Sequence, residues 1–520
     1  MHRALQIPEV VELICSVAEF STLAALAQTF RAFQPPALAV LWEKQTNLMR
    51  LLKCMPSDAW ELKITPILLV AESTKVKFLR PITPSDWTRV LFYANYVKSF
   101  VQEGVDPVTW EVYATLSLSL PTYPLFPNVR CITWDTQDEV FPYFRMLVGN
   151  KLRSIVIGMH GSEAVRSSLL SSLTTFHPKL THLEFNPTLF DSPMITQAIY
   201  SAICRLNHLE SLKFSSLDLP SLLHLARLPN LRTLHLHKLP HDSATVSDFR
   251  TRIENTGPVF GSLREFTSYS ESVKHITWFL DAIDPDALDK VDLEIESPIL
   301  SEDWHNLNTS LAQTSSKTLT KIALMEMFSF DHVVPDHFEL MFPTECMQPL
   351  LSCTNLTEVA VLPGHGIHLD DAFLKLMALA WPQLQKLDLS PRCQSAHYVP
   401  QVTLAGLIPL AQHCRDLVSL ALVMNATVTD PHSKEKPGGG ITNTALTDLE
   451  VVESPLSSPG AVASFLSAIF PNLRRVATRD EMTRNMLIPD WEDNMLAWEA
   501  VSDLVQVIAS ARAQEHRVSA

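Results

Sequence analysis

Residues 228–237 read Leu-Pro-Asn-Leu-Arg-Thr-Leu-His-Leu-His, and this stretch sets the terms for the whole chain. A proline turn leads into Leu231, and apolar residues follow at Leu234 and Leu236, which is the pattern of a short half-buried strand. The unit recurs in degraded form about every 29 residues over two-thirds of the sequence. Thirteen copies can be anchored on their first apolar residue: Val129, Leu152, Leu180, Leu209, Leu231, Leu263, Leu288, Leu319, Leu356, Leu384, Leu417, Leu446 and Leu473. Spacings run from 22 residues (Leu209 to Leu231) to 37 (Leu319 to Leu356). A repeat of this kind cannot bury its apolar face alone, so neighbours must stack.

The segments between the anchors are long enough for a helix, and several are amphipathic: 195–206, 219–228, 369–380, 404–413 and 461–470. A period in the high twenties with L-x-x-L-x-L matches the leucine-rich repeat, so the expected fold class is α/β. A short N-terminal helical module should precede a solenoid of strand–loop–helix repeats whose parallel sheet lines the concave side. An all-helical solenoid is the weaker rival, because the six-residue apolar segments are flanked by proline and often carry Val, Ile, Thr or Phe. Longer loops are expected near 240–258, 325–350 and 425–441, with 431–440 (Pro-His-Ser-Lys-Glu-Lys-Pro-Gly-Gly-Gly) as a flexible surface loop. Residues 491–512 read as a helix covering the last repeat.

Composition narrows the function classes. The chain has 520 residues, 46% hydrophobic and 19% charged, which is ordinary for a folded protein. Glycine is scarce (13) and proline abundant (35), which suits short elements joined by stiff turns and provides no glycine-rich phosphate loop. A formal charge of −15 argues against nucleic acid or an anionic membrane as the main partner. The eight cysteines are scattered without a C-x-x-C pair, so free thiols in a reducing compartment are expected. Glu9, Glu12 and Glu19 interrupt the only N-terminal run that could serve as a signal peptide, and no apolar stretch approaches ~20 residues. The expectation is a cytoplasmic or nuclear protein that does not enter a membrane.

Ile7-Pro8-Glu9 opens a first helix with apolar residues at 10, 13, 14 and 17. Ser21 or Thr22 caps a second over 23–33, Pro35-Pro36 stops it, and 37–42 form a third amphipathic stretch. The order Ile7-Pro8-Glu9, Leu13-Ile14, Leu23-Ala24-Ala25-Leu26-Ala27, Phe30-Arg31-Ala32-Phe33 and Leu41-Trp42 resembles the F-box over residues 5–46. The F-box is the helical module that docks on the Skp-family adaptor of cullin–RING ubiquitin ligases. Phe30 departs from the family, which often has cysteine there. The continuation over 42–60 is similar to F-box proteins of basidiomycete fungi. The resemblance implies a docking surface of Ile7, Pro8, Leu13, Ile14, Leu23, Leu26 and Trp42, some of which must also hold the small helices together. The alternative is that these helices only cap the repeat array, as arrays require.

Residues 47–125 read as a connector and N-terminal cap, with a helix over 48–52, a strand over 74–79, a helix from Trp87, a degenerate repeat strand at 97–101 and a helix over 107–118. The expected organisation is therefore 1–46 helical module, 47–125 connector, 126–480 solenoid and 481–520 C-terminal cap.

No H-E-x-x-H, G-x-G-x-x-G, P-loop or G-x-S-x-G motif occurs, so no catalytic residue, metal or cofactor is assigned. His235 and His237, with His241-Asp242 beyond, could be drawn as a metal site, but the strand register turns both histidines to solvent on the concave face. Residues 364–371 read as a turn feeding a helix capped by Asp370, Ser433 beside Lys434 and Lys436 as generic loop, and Trp491 and Trp498 as helix core. The same register puts positions two, four and six after each anchor on the concave side. The candidate substrate face is His182, Glu184, Lys213, His235, His237, Lys386, Asp388, Asp448 and Glu450. Asp135, Ser211, Glu265, Asp292, Glu294, Glu358 and Arg475 share it, as do Lys290 and Lys321, with an acidic excess. A protein segment with some basic character would suit it, and so would plain solvent. The function expected from the resemblance is a non-catalytic substrate-recognition subunit of a cullin–RING (SCF-type) ubiquitin ligase, binding the adaptor, the cullin and an unidentified protein substrate. The alternative is a protein-binding scaffold with no ubiquitin role.

Overall fold

The computed structural model describes residues 7–519 apart from 68–69, 104–107, 137, 159, 187–191, 241–242, 255–258, 285, 297–298, 328–340, 365, 392–399, 428–436, 452–453 and 479–490. They form two compact units, Met1–Leu231 and Arg232–Ala520.

The first unit opens with helices α1 (Pro8–Val17), α2 (Phe20–Thr29) and α3 (Gln34–Glu43). α2 ends four residues before the expected limit of 33, because Phe30 turns extended (φ −149°, ψ 138°). Pro35 and Pro36, expected as a stop, instead lie in the first turn of α3, where a missing N–H leaves nothing unpaired. Strand β1 (Lys44–Gln45) and helix α4 (Met49–Leu52) follow. β2 (Trp60–Ile67) and β3 (Val70–Phe78) form an antiparallel hairpin of which sequence periodicity marked only the second arm. Helix α5 (Trp87–Ala94), strand β4 (Ser99–Glu103) and helix α6 (Trp110–Ser119) complete the region before the clear repeats. Those repeats are β5 (Cys131–Asp135), α7 (Phe144–Leu147), β6 (Ser154–Gly158), α8 (Glu163–Phe176), β7 (His182–Asn186), α9 (Pro193–Ile203), β8 (Ser211–Ser216) and α10 (Leu219–Ala226). The sheet of this unit runs β1-β4-β5-β6-β7-β8, with parallel pairing. It therefore begins at Lys44, well upstream of the first clear anchor at Val129. Phe100, Tyr113, Phe126, Trp134 and Phe144, each at most 2% exposed, fill its core.

The second unit continues with β9 (Thr233–Lys238), α11 (Ser243–Glu254), β10 (Glu265–Ser270), α12 (Val273–Leu280), β11 (Lys290–Glu296), α13 (Ser301–Ser315) and β12 (Lys321–Met327). Next come β13 (Phe342–Pro343), β14 (Glu358–Leu362), β15 (Ile367–His368), α14 (Asp371–Ala380), β16 (Lys386–Asp388), α15 (Leu407–His413) and β17 (Ser419–Ala421). β18 (Asp448–Glu450), α16 (Pro459–Ile469), β19 (Arg475–Ala477) and α17 (Trp491–Ser519) close the unit. Its parallel sheet runs β9-β10-β11-β12-β14-β16-β17-β18-β19, and β13 pairs separately with β15. The stretch expected as loop over 240–258 is largely the helix α11. Of the expected loop over 325–350, residues 328–340 lie outside the described residues and the end runs into a 3-10 helix, Thr344–Ser352; residues 431–436 of the surface loop also lie outside the described residues.

One rule explains the strands in both units. All thirteen anchors are 0–1% exposed, and every clear repeat strand starts two residues after its anchor. These starts pair in register, Cys131 with Ser154, His182 and Ser211 in the first unit. In the second they run from Thr233 through Glu265, Lys290, Lys321, Glu358, Lys386, Ser419 and Asp448 to Arg475. The residue after the anchor ties neighbouring repeats together. Thr181 Oγ1 donates to Arg153 O (3.2 Å), Thr320 to Asp289 O (3.4 Å), Thr357 to Thr320 O (3.0 Å) and Thr447 to Val418 O (3.4 Å). Asparagine just before the anchor does the same, with Asn128, Asn355 and Asn472 donating to Asn95 O, Lys317 O and Thr444 O. Each unit is thus a leucine-rich-repeat-like α/β fold. Among the described residues, no helix is long and apolar enough to cross a membrane.

Candidate functional site

The N-terminal helices have a core of their own, formed by Val11, Cys15, Leu23, Phe33 and Ala37 with Ile14, Leu26, Val40 and Leu41 packed against it. Val11 and Cys15 are four apart on α1 and point inward. Leu13 and Val17 repeat that spacing on another face and are 65% and 79% exposed. Ile7 (47%), Phe20 (61%) and Phe30 (44%) are exposed as well. Of the docking residues inferred from sequence, Ile7, Pro8 and Leu13 lie at the surface, and Ile14 and Leu26 are half-buried. Leu23 is 1% exposed and belongs to the core, so it has no surface to offer a partner. Trp42 stacks on Tyr93 (ring centroids 4.5 Å apart, 18° between planes) and fastens α3 to α5. Val17 and Phe20 were missed, although Val17 stands one helical turn beyond Leu13.

On the first unit's sheet, His182 is exposed, and Glu184 pairs with Lys213 at 2.8 Å. Asp135 bridges two repeats by accepting from Asn186 Nδ2 (2.9 Å) and meeting His160 Nε2 at 2.7 Å. Gly158 makes this possible, since a Cβ there would sit 2.3 Å from Asp135 Oδ1. His160 lies in a loop, where repeat periodicity carries no signal.

The second unit's sheet sets residues of neighbouring strands side by side in two in-register rows, one of mixed charge and one that mixes alanine with polar groups. The first row contains Glu265, Lys290, Lys321, Glu358 and Lys386. Lys290 pairs with Glu265, while Lys321 (2.6 Å) and Lys386 (3.6 Å) share Glu358. The Lys321 hydrogen bond, opposed by burial, holds the Glu358 carboxyl below its usual range. With side chains 30–59% exposed, such pairs contribute about 0–1 kcal/mol each and fix side-chain placement more than stability. The next row reads His235, Thr267, Asp292, Ala323, Ala360, Asp388, Ala421, Glu450 and Ala477, with neighbours about 4.8 Å apart. The alanines, which carry no signal in the repeat pattern, leave room for a groove of about 530 Å³ bordered by the paired lysines. Burial, then Glu294, raises the Asp292 carboxyl above its usual range. Asp388 accepts from Ser390 N at 3.0 Å, and Asp448 is half-buried beside Thr447.

His235 and His237 are half-buried on this sheet with rings edge to face, centroids 5.3 Å apart. His241, Asp242, Ser433, Lys434 and Lys436 lie outside the described residues. Among the described residues, no group of three or more His, Cys, Asp or Glu is arranged to hold a metal ion. Asp370 does cap α14, accepting from Phe373 N at 2.7 Å. Trp498 is 1% exposed and donates to Ser454 O at 2.7 Å, while the side chain of Trp491 lies outside the described residues.

No protein-family model matches this sequence, and no curated protein matches it. Among solved structures, similarity extends to a chain of the yeast Rad7–Elc1 complex, at 13% identity over 76% of this chain and 79% of that one, with a TM-score of 0.36. A Bacteroides fragilis protein is 15% identical over 59% of this chain and 68% of its own (TM-score 0.24). Internalin C2 of Listeria monocytogenes is 12% identical over 60% of this chain and 92% of its own (TM-score 0.23). At these values the likenesses carry no functional assignment.

Proposed function

We propose that this chain is a substrate-recognition subunit of a cullin–RING ubiquitin ligase, docking through its N-terminal helices on a Skp-family adaptor and binding a protein substrate with its repeats. The observation that carries this reading is the apolar set Ile7, Leu13, Val17, Phe20 and Phe30, exposed on a module that already has a closed core. Such a surface is a binding surface when it is not spent on folding. In this reading residues 1–46 dock, 47–125 connect, 126–480 bind substrate and 481–520 cover the last repeat. The chain works in the cytoplasm or nucleus and performs no chemistry itself. It acts by proximity, raising the effective concentration of substrate lysines near a ubiquitin-charged enzyme.

The test is affinity purification of the full chain beside the double variant Leu13→Asp/Val17→Asp. Both positions are exposed, so the fold should survive. The wild type is expected to retain a Skp-family adaptor and cullin, and the variant to lose them by more than about tenfold, since two charges would enter an apolar interface. A wild-type chain that retains neither defeats the proposal.

A second reading, a protein-binding scaffold with no ubiquitin role, is favoured by one observation. The N-terminal helices are fastened to the neighbouring part of the first unit by the Trp42–Tyr93 stack and by Lys98 N donating to Glu43 O at 2.9 Å. It predicts that removing residues 1–43 destabilises the remaining fold while no adaptor is ever retained.

A further inference from the structure

Away from the sheet faces, the first unit contains a cavity of about 530 Å³ beside the start of α7 and the end of α8. Phe144, Met146 and Phe176 give it apolar walls, and among the described residues Arg145 is the one cationic residue lining it. The Arg145 guanidinium lies over the Phe176 ring, 4.3 Å from its centre. Among the described residues Arg145 has neither a carboxylate partner nor a hydrogen-bond acceptor, its guanidinium meeting the Phe176 ring instead, and it is exposed. Phe176 is also half-exposed, at 50%.

His177 follows directly and lines the same cavity at 8% exposure. Its Nδ1 is buried without a hydrogen-bond partner. Burial, then the Arg145 charge, holds its pKa below the usual value, so the ring is neutral at pH 7. A neutral imidazole carries one N–H, and a buried orphan donor is rarer than a buried orphan acceptor. That favours the proton on Nε2 and leaves Arg145 as the charged group of the cavity among the described residues.

We propose that this cavity binds a carboxylate joined to an apolar group, either a free aryl or alkyl acid or the C-terminus of a polypeptide ending in an apolar residue. The guanidinium fork matches the two oxygens of a carboxylate, and stacking on Phe176 keeps it in place without neutralising it. The apolar substituent lies against Tyr123 (58% exposed) and the uncovered part of Phe176, with Phe144 and Met146 packed behind them. A phosphate is a poorer match, because a single cation serves it.

The test uses the full chain with methyl-labelled methionine. Met146, 3% exposed and lining the cavity, is the local reporter, its signal assigned with Met146→Leu. Phenylacetate is expected to shift this signal saturably, with phenylacetamide and inorganic phosphate weaker by roughly tenfold or more. Arg145→Gln should weaken phenylacetate by a similar factor, and Arg145→Lys by less. The tripeptide acetyl-Ala-Ala-Phe distinguishes the sources: tighter binding than phenylacetate identifies a chain end, weaker binding a free acid. The proposal is overturned if neither carboxylate shifts Met146 below about 10 mM, or if the amide or phosphate binds as well as the acid. The acid–amide comparison needs only the wild type, so the outcome does not depend on the variants folding.

Discussion

At the scale of single residues, the best-defined electrostatic unit is Asp86, 5% exposed at the entry to α5. Its carboxylate accepts from Arg80 Nη1 (2.8 Å) and Nη2 (3.0 Å) and from Thr83 N (2.8 Å) and Oγ1 (2.9 Å). The Arg80 hydrogen bonds, and after them the Thr83 backbone N–H, hold its pKa far below the usual carboxylate range. A depressed folded pKa gives stability that is present above the unfolded value and lost as pH falls towards the folded one. Asp86→Asn should therefore lower stability at pH 7, and the gap to wild type should narrow below about pH 4 in urea unfolding. A gap independent of pH would contradict this account. The thiols supply a second prediction. Burial pushes Cys414 up to about 12, and Cys346 and Cys353 to about 11. With a thiol-alkylating reagent at pH 8 the exposed Cys131 should react first among the described cysteines, and these three only on unfolding, as mass spectrometry would read.

At the scale of the element, the repeat strand divides its duties by position. Leu356 is 0% exposed, and the next residue, Thr357, bonds the preceding repeat twice, through N (2.8 Å) and Oγ1 (3.0 Å) to Thr320 O. Leu356→Ala should cost about 2–5 kcal/mol, from lost burial and the cavity left behind. Thr357→Val keeps the backbone bond and the shape, so it should cost only about 0.5–1.5 kcal/mol. Equal losses for the two in chemical unfolding would mean that the anchor row is not what holds the repeats. Interior glycine is constrained in the same way. Gly158→Ala would drive a methyl into Asp135 and disturb its bonds to His160 and Asn186.

At the scale of the whole molecule, the chain combines a net charge of −15 with exposed apolar residues on and beside its first two helices. Like charge keeps copies apart at low salt, and screening at high salt leaves the apolar surface free to self-associate. The wild-type chain should therefore show a larger apparent mass by light scattering as salt rises, and Leu13→Asp/Val17→Asp should abolish the rise. Unchanged association of that variant would mean that the adhesive surface lies elsewhere.

The repeat fold was legible in the sequence because its cause is local and periodic. Leu228, Leu231, Leu234 and Leu236 recur in kind at each unit, and burial of one apolar face per strand fixes both the strand start and its register. The outward row of Glu184, Lys213, His235 and Asp388 follows from the same alternation. What depends on contacts far apart in the chain was not legible. Leu23 and Leu13 look alike on a helix, and only the packing of α1, α2 and α3 buries one and exposes the other. Pro35-Pro36 reads as a stop, yet the chain starts α3 through it because the preceding turn had already opened at Phe30. Nor does spacing show that Lys321 and Lys386 share Glu358, that Trp42 meets Tyr93, or that Arg145 and His177 border one cavity. The sequence by itself determined the repeating strand, its buried and outward rows and the parallel α/β architecture, since period and alternation are properties of neighbours along the chain. Only the tertiary structure decided which apolar residues stay uncovered and which charges are already paired, because both depend on groups that meet in space.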